Sequence, residues 1–273
     1  MLIIGENINA SSKRVAEAIR THNSSFLQEL ALAQVATDYL DVNVGGGKGS
    51  TKLEIEDMKW LIHIISEVTD KPIVVDSANP EVIKAGLEQY YCERNEAISV
   101  AMVNSVNAEK ARLEVIGPLV AEYQVDVIAL AMDDNGIPSR VEERIGACGR
   151  ILEGLSCYNI PTEKIYFDPL VLPIGVDTTQ GQVTLRTLEQ IKTRYPKAKT
   201  VVGLSNISFG LPQRPIINDA FLLMLMQAGL DSVIVNPLHS STIGSIKLGE
   251  MLLGKDAHCK EYLKAYRRGI FSK

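Results

Sequence analysis

Short runs of β-branched and other apolar residues, each closing on a polar one, recur along the chain: LIIGEN (2–7), YLDVNVG (39–45), PIVVDS (72–77), ISVAMVNS (98–105), DVIALAMD (126–133), KIYFDP (164–169), TVVGLSN (200–206) and DSVIVNP (231–237). Several are nearly continuous in Val, Ile, Leu and Ala instead of alternating with polar residues. A strand covered on both faces, as in a parallel sheet, has this pattern. The intervening segments carry helix signals. Thr51 with Glu54, and Ser139 with Glu142, have the spacing of capping boxes, and Asn79 followed by Pro80 opens a further helix. Asn218 is placed to cap DAFLLMLMQAG, with Gly229 as its C′ stop. Ser25 and Gln28 restart a helical pattern inside the first connection, and Pro118 is expected to interrupt the helix after the fourth strand.

Strand and helix thus alternate roughly every 25–40 residues with no linker or shift of composition, which predicts one (β/α)8 TIM barrel over residues 1–273. A doubly wound open sheet is the other arrangement with this alternation. It would bind a dinucleotide on a G-x-G-x-x-G turn, and none follows a strand here.

In a barrel of this kind the active site forms at the carboxyl ends of the strands. The polar residues there are Glu6 and Asn7, Asp41 and Asn43, Asp76, Asn104, Asp133, Asp168, Asn206 and Asn236. Asp and Asn also terminate strands for purely local reasons. Eight such ends together predict a cup lined with hydrogen-bonding groups. With no Lys, Cys or paired His among them, a Schiff base, a thiolate nucleophile and a zinc site are all disfavoured. Carboxylates accept and amides both donate and accept, a combination suited to a planar heterocycle rich in N–H donors. A divalent cation on Asp41, Asp76 and Asp168 is the competing use.

Other features narrow the picture by exclusion. VGGGKGS resembles a phosphate loop, but Lys48 is followed by Gly49 where Walker A needs Ser or Thr; residues 45–49 are expected to form a loop over the barrel mouth. Asp256 and His258 imitate the start of a corrinoid-binding motif, with Glu261 standing where Gly is required. His239 follows the last strand, and Trp60 falls on the apolar face of its helix. The 33 acidic and 28 basic residues give a net charge of -5 without a basic cluster, which disfavours nucleic acid and membrane surfaces as partners. No apolar run approaches the ~20 residues of a membrane span, and MLIIGENINA lacks the features of a signal peptide. Cys92, Cys148, Cys157 and Cys259 form no C-x-x-C pair. A cytoplasmic protein without disulfides or a tightly bound metal is expected.

The segments IIGENIN, LDVNVG, VDS, VNS, FDPLVLP, GLSNISFGLPQR and NDAFLLMLMQAGLD, in this order over nearly the whole chain, resemble the methyltetrahydrofolate:corrinoid-protein methyltransferases. The stand-alone enzymes of anaerobic one-carbon and O-demethylation pathways are the most similar, and the folate domain of cobalamin-dependent methionine synthase is more distant. The resemblance implies a homodimeric pterin-binding barrel that exchanges a methyl group between N5 of tetrahydrofolate and the cobalt of a corrinoid on a separate protein. Carried over by position, it implies that Asp76, Asn104 and Asp168 hold the pterin, that Asp41 and Asn43 contribute to the same pocket, and that Asn206 approaches N5; Glu6, at the first strand end, is expected to join them. The chain departs from the acetogenic members at Phe209, Gly210 and Leu211, where they have polar residues, and at Val106, where they have Thr. Dihydropteroate synthase is the nearest enzyme alternative, but DPLVLPIG and GLSNISFG offer no cation for its diphosphate. A non-catalytic folate-binding subunit is the alternative of another class.

Overall fold

The computed structural model describes residues 1–45, 50–94 and 100–271. Among them, eight parallel strands close into a barrel in sequence order. β1 (Leu2–Asn9) is followed by α1 (Lys13–Arg20) and α2 (Ser24–Ala33), the two helices expected in the first connection. Then come β2 (Tyr39–Asn43), α3 (Thr51–Ser66), β3 (Ile73–Asp76), α4 (Pro80–Glu93), β4 (Met102–Val106), α5 (Lys110–Glu122) and β5 (Asp126–Leu130). α6 (Val141–Ser156), β6 (Ile165–Asp168), α7 (Gln180–Arg194), β7 (Lys199–Gly203), α8 (Arg214–Gln227), β8 (Ser232–Val235), α9 (Ser240–Leu252) and α10 (Lys260–Arg267) complete the chain. None of the described helices is long and apolar enough to cross a membrane.

The two-residue period of the strands divides their side chains between two cores. Inside the barrel, Ile4, Val74, Met102, Ile128, Tyr166 and Val201 form a buried layer across six strands. Outward-facing neighbours such as Val42, Val75, Val103, Val127 and Phe167 join the larger core beneath the helices. Both faces are dry, which is why the strand sequences read as continuous apolar runs. The same period, one step beyond the inner layer, turns Glu6, Asp41, Asp76, Asn104 and Asp168 toward the barrel axis at its carboxyl end.

Several element boundaries differ from the sequence reading. α3 is capped by Ser50, whose Oγ accepts from the Leu53 N–H, not by Thr51. α6 begins after Arg140 with no side-chain cap, so Ser139 and Glu142 form no capping box. α8 starts at Arg214, with Pro215 in its first turn, which makes Asn218 an internal helix residue. Pro118 lies within α5 and does not end it. The Asn79 cap with Pro80 behind it is present, and Gly229 ends α8 with a positive φ of 100°. Of the loop 45–49, residues 46–49 lie outside the described residues, as do 98 and 99 at the start of the expected fourth strand.

Candidate active site

The register of β2, β3 and β4 sets the first wall of the cup. Asn43 pairs with Asp76 and Asp76 with Asn104, so three polar side chains stand abreast. Asn43 Nδ2 donates to Asp76 Oδ2 at 2.8 Å, while its Oδ1 accepts from the Gly45 N–H at 2.9 Å. Asn43 therefore orients Asp76 and has both ends of its amide engaged. Asp41, one pleat deeper, is only 2% exposed and is hydrogen-bonded by the Asn104 side chain. Its Oδ1 is buried without a hydrogen-bond partner. An orphaned acceptor of this kind is costly unless a ligand donates to it.

β6 supplies the opposite wall, where Asp168 pairs with Leu130 of β5 and Asp168 Oδ1 accepts from the Leu170 N–H at 2.7 Å. β1 supplies Glu6. Burial is the largest influence on all four acids and raises each of them. Asp168 and Glu6 are pushed up to about 7, opposed respectively by the Leu170 N–H with Arg144, and by Arg214. Asp41 is raised well above the usual carboxylate range by burial and by the neighbouring Asp76. Asp76 is raised less, because Asn43 and Arg112 favour its ionised form. The sequence reading takes these acids as hydrogen-bond acceptors; with Asp168 and Glu6 near 7, the cup also holds exchangeable protons near neutral pH.

β7 ends at Gly203, three residues before the strand end read from the sequence, and Asn206 lies in a 3-10 turn, Leu204–Ser208. Asn206 is exposed at the rim. A Cβ on Gly203 would sit 3.4 Å from Asn206 Nδ2, so the amide leans over the space that the missing side chain leaves.

Two adjoining cavities open at this rim and share Glu6, Ser205 and Asn236. One, of 380 Å³, also has Arg214, Asn218 and His239 in its wall; the other, of 320 Å³, runs along β1 past Asn7 and Asn9. Arg214 is tied to the β7 turn through Ser205 O at 2.7 Å and Ser208 Oγ at 3.1 Å. Sequence reasoning missed Arg214, Ser205 and Asn218. The signal was the Gln-Arg-Pro that opens α8, misread because the helix was started at Asn218.

The remaining predictions are sorted by the same geometry. Asp133 is off the strand, paired with Arg150 at 2.5 Å, and plays no part in the cup. His239 is exposed in the cavity wall. Trp60 packs against the helical core with His22 edge-on. Asp256 accepts from the N–H groups of Glu261 and Tyr262 and serves α10. No three His, Cys, Asp or Glu side chains among the described residues are grouped to hold a metal ion.

The chain matches the family described as pterin binding enzyme over residues 5–236. It belongs to that family. A Eubacterium limosum protein named methylcorrinoid:tetrahydrofolate methyltransferase is 32% identical over 98% of this chain and 97% of its own length. Methionine synthase of Mycobacterium leprae is 32% identical over 89% of this chain, which spans 20% of that larger protein. Among solved structures, dihydropteroate synthases from Coxiella burnetii and Xanthomonas albilineans superpose with a TM-score of 0.69, each over 92% of both chains. At 13% and 19% identity that likeness is one of fold alone.

Proposed function

We propose that this pterin-binding enzyme transfers a methyl group between N5 of tetrahydrofolate and the cobalt of a corrinoid held by a separate protein. The observation behind this reading is the orphaned Asp41 Oδ1, buried in a cup whose other walls are Asp76, Asn104 and Asp168. That oxygen has no hydrogen-bond partner within the protein, and the aminopyrimidinone edge of a pterin offers N–H donors to it and to the neighbouring acids. Near-full-length similarity to a methylcorrinoid:tetrahydrofolate methyltransferase supports methyl transfer over the dihydropteroate synthase alternative, whose likeness is confined to the fold.

The corrinoid supplies the cobalt that exchanges the methyl group; binding, orientation and proton handling fall to residues of this chain. Asp76, fixed by Asn43, and Asp168, fixed by the Leu170 N–H, accept from the pterin edge and set the ring across the cup. Asn206 meets N5 at the rim, where its amide can donate to a lone pair or accept from a protonated nitrogen as the C–N bond changes. An amide is no acid near neutral pH. Glu6, which lines the same cavity as Ser205, has a proton exchangeable there and serves as its source or sink. A cytoplasmic setting and a homodimer complete the proposal, the first supported by four free cysteines.

The deciding experiment mixes the purified protein with tetrahydrofolate and a methylated corrinoid protein, and with methyltetrahydrofolate and a reduced one, following the cobalt absorbance. Transfer in either direction that needs the chain supports the reading. Tight folate binding with no transfer to or from any corrinoid would favour a non-catalytic folate-binding subunit.

A further inference from the structure

Behind Asp168 stands a buried cation whose four hydrogen-bond acceptors are all neutral. Arg144, on α6, is 0% exposed. It donates from Nε to Pro138 O at 2.9 Å, from Nη1 to Pro169 O at 2.7 Å and Leu170 O at 2.8 Å, and from Nη2 to Gln180 Oε1 at 3.0 Å. A guanidinium is expensive to bury without a negative charge to offset it. The charge that acts on Arg144 is that of Asp168, and the influence is mutual.

The two residues also share a peptide. Leu170 has a φ of +66°, a left-handed conformation that a residue with a Cβ avoids unless its surroundings impose it. Its carbonyl is held by Arg144 and by Thr184 Oγ1 at 2.9 Å, and its N–H is thereby aimed at Asp168 Oδ1. A similar arrangement serves Asp76 on β3: Arg112 on α5 grips Ser105 O, Ala78 O and Ser77 O, and favours the ionised form of Asp76.

We propose that Arg144 is a positioning residue for the pterin reaction, which locks the Pro169–Leu170 carbonyls and faces Asp168 with its charge so that Asp168 meets the pterin as an ionised acceptor. This rests on the pterin reading above. The charged and titratable groups around Asp168 are few. Arg144 and Cys148 face it from α6, and burial pushes the Cys148 thiol up to about 12, so it is neutral. The facing position on β5 is Leu130, and Gln180 and Thr184 approach from α7. Asp76 and Glu6, from the far strands, act on Asp41 and not on Asp168.

The test is a carboxyl titration of Asp168 by NMR in protein labelled at aspartate Cγ, together with tetrahydrofolate binding from pH 5.5 to 9. Arg144→Gln should move the Asp168 midpoint up by about one pH unit, the lower end of what removing a nearby opposite charge does. Folate affinity at pH 7 should then fall roughly fivefold and recover above pH 8.5, because the ionised fraction drops from about half to about a tenth. Arg144→Lys should keep the midpoint while weakening affinity evenly at every pH, since it retains the charge and loses the fork. A merely structural role predicts equal loss at every pH in both variants with no midpoint change, and that result would overturn the proposal. If Arg144→Gln does not fold, Arg144→Met takes its place, since it fills the buried space with no charge: an Asp168 midpoint displaced upward supports the proposal, and an unmoved one overturns it. Absence of folate binding by the wild type would sink the pterin reading instead, and the titration in the free protein would still judge Arg144.

Discussion

Asn206 sits where the chain leaves β7, exposed on a 3-10 turn and leaning over Gly203. That placement gives it the rim of the cup, and in the proposed reaction it would reach N5 with little hold on the rest of the pterin. An interaction that strengthens only as charge changes on N5 lowers the barrier without tightening the ground state. Asn206→Ala should therefore slow single-turnover methyl transfer at saturating folate by about two to three orders of magnitude, the scale for losing one preorganised hydrogen-bonding group. Folate affinity should change far less; near-normal rate with poor affinity would make Asn206 a binding residue. Asp76 is the opposite case, walled in and oriented by Asn43. Asp76→Ala should weaken folate binding by about 1.5–3 kcal/mol, the worth of a hydrogen bond to a charged group. Asn43→Ala, which only loosens Asp76, should cost about 0.5–1.5 kcal/mol by calorimetry. Equal losses would show that Asn43 touches the pterin itself.

At the scale of elements, the position of Asp76 depends on how closely α4 lies against β3. A Cβ on Gly86 would stand 2.7 Å from Val75 Cγ1 and 3.1 Å from Met58 Cγ, both fully buried residues. In an open helix Gly→Ala gains about 1 kcal/mol, whereas forcing a methyl into a packed core costs about 1–3 kcal/mol. Gly86→Ala should be destabilising, by about 1–2 kcal/mol in urea unfolding, with folate affinity lowered as β3 yields. Added stability would mean that Val75 has room to move. The same packing explains what was legible in the sequence. Strands buried on both faces must be apolar throughout, so all eight appear in the composition, and inward parity carries Glu6, Asp41, Asp76, Asn104 and Asp168 into one cup. Strand ends and caps are set by tertiary context. β7 stops at Gly203 because the chain turns into a 3-10 segment, and α8 starts at Arg214, so Asn206 was placed on a strand and Arg214 was overlooked. Arg144 was invisible for another reason: a charged residue in an amphipathic helix reads as surface, and only the fold reveals that four neutral acceptors surround it.

The whole molecule folds around acids that it would hold more comfortably as neutral groups, and this sets stability against binding. Burial raises Asp168 to about 7, whereas in the unfolded chain it titrates near ~4. Between those values the native state binds more protons than the unfolded state, so the slope of unfolding free energy against pH is negative. Asp168 thus contributes stability as pH falls from above 7 toward ~4, and takes it away as pH rises through the same window. Binding has the opposite sign, because the pterin edge needs an ionised acceptor: below pH 7 folate affinity should drop by up to about tenfold per unit as Asp168 protonates. Asp168→Asn removes the titration while keeping the shape. Its Tm should exceed or approach that of the wild type at pH 8 and fall behind as both are taken to pH 5.5, while its weak folate binding stays level over the same range. Scanning calorimetry and titration calorimetry on the two proteins read both curves. A Tm difference that does not change with pH would mean that Asp168 is ionised in the folded protein throughout, and that its charge is already accommodated before any pterin arrives.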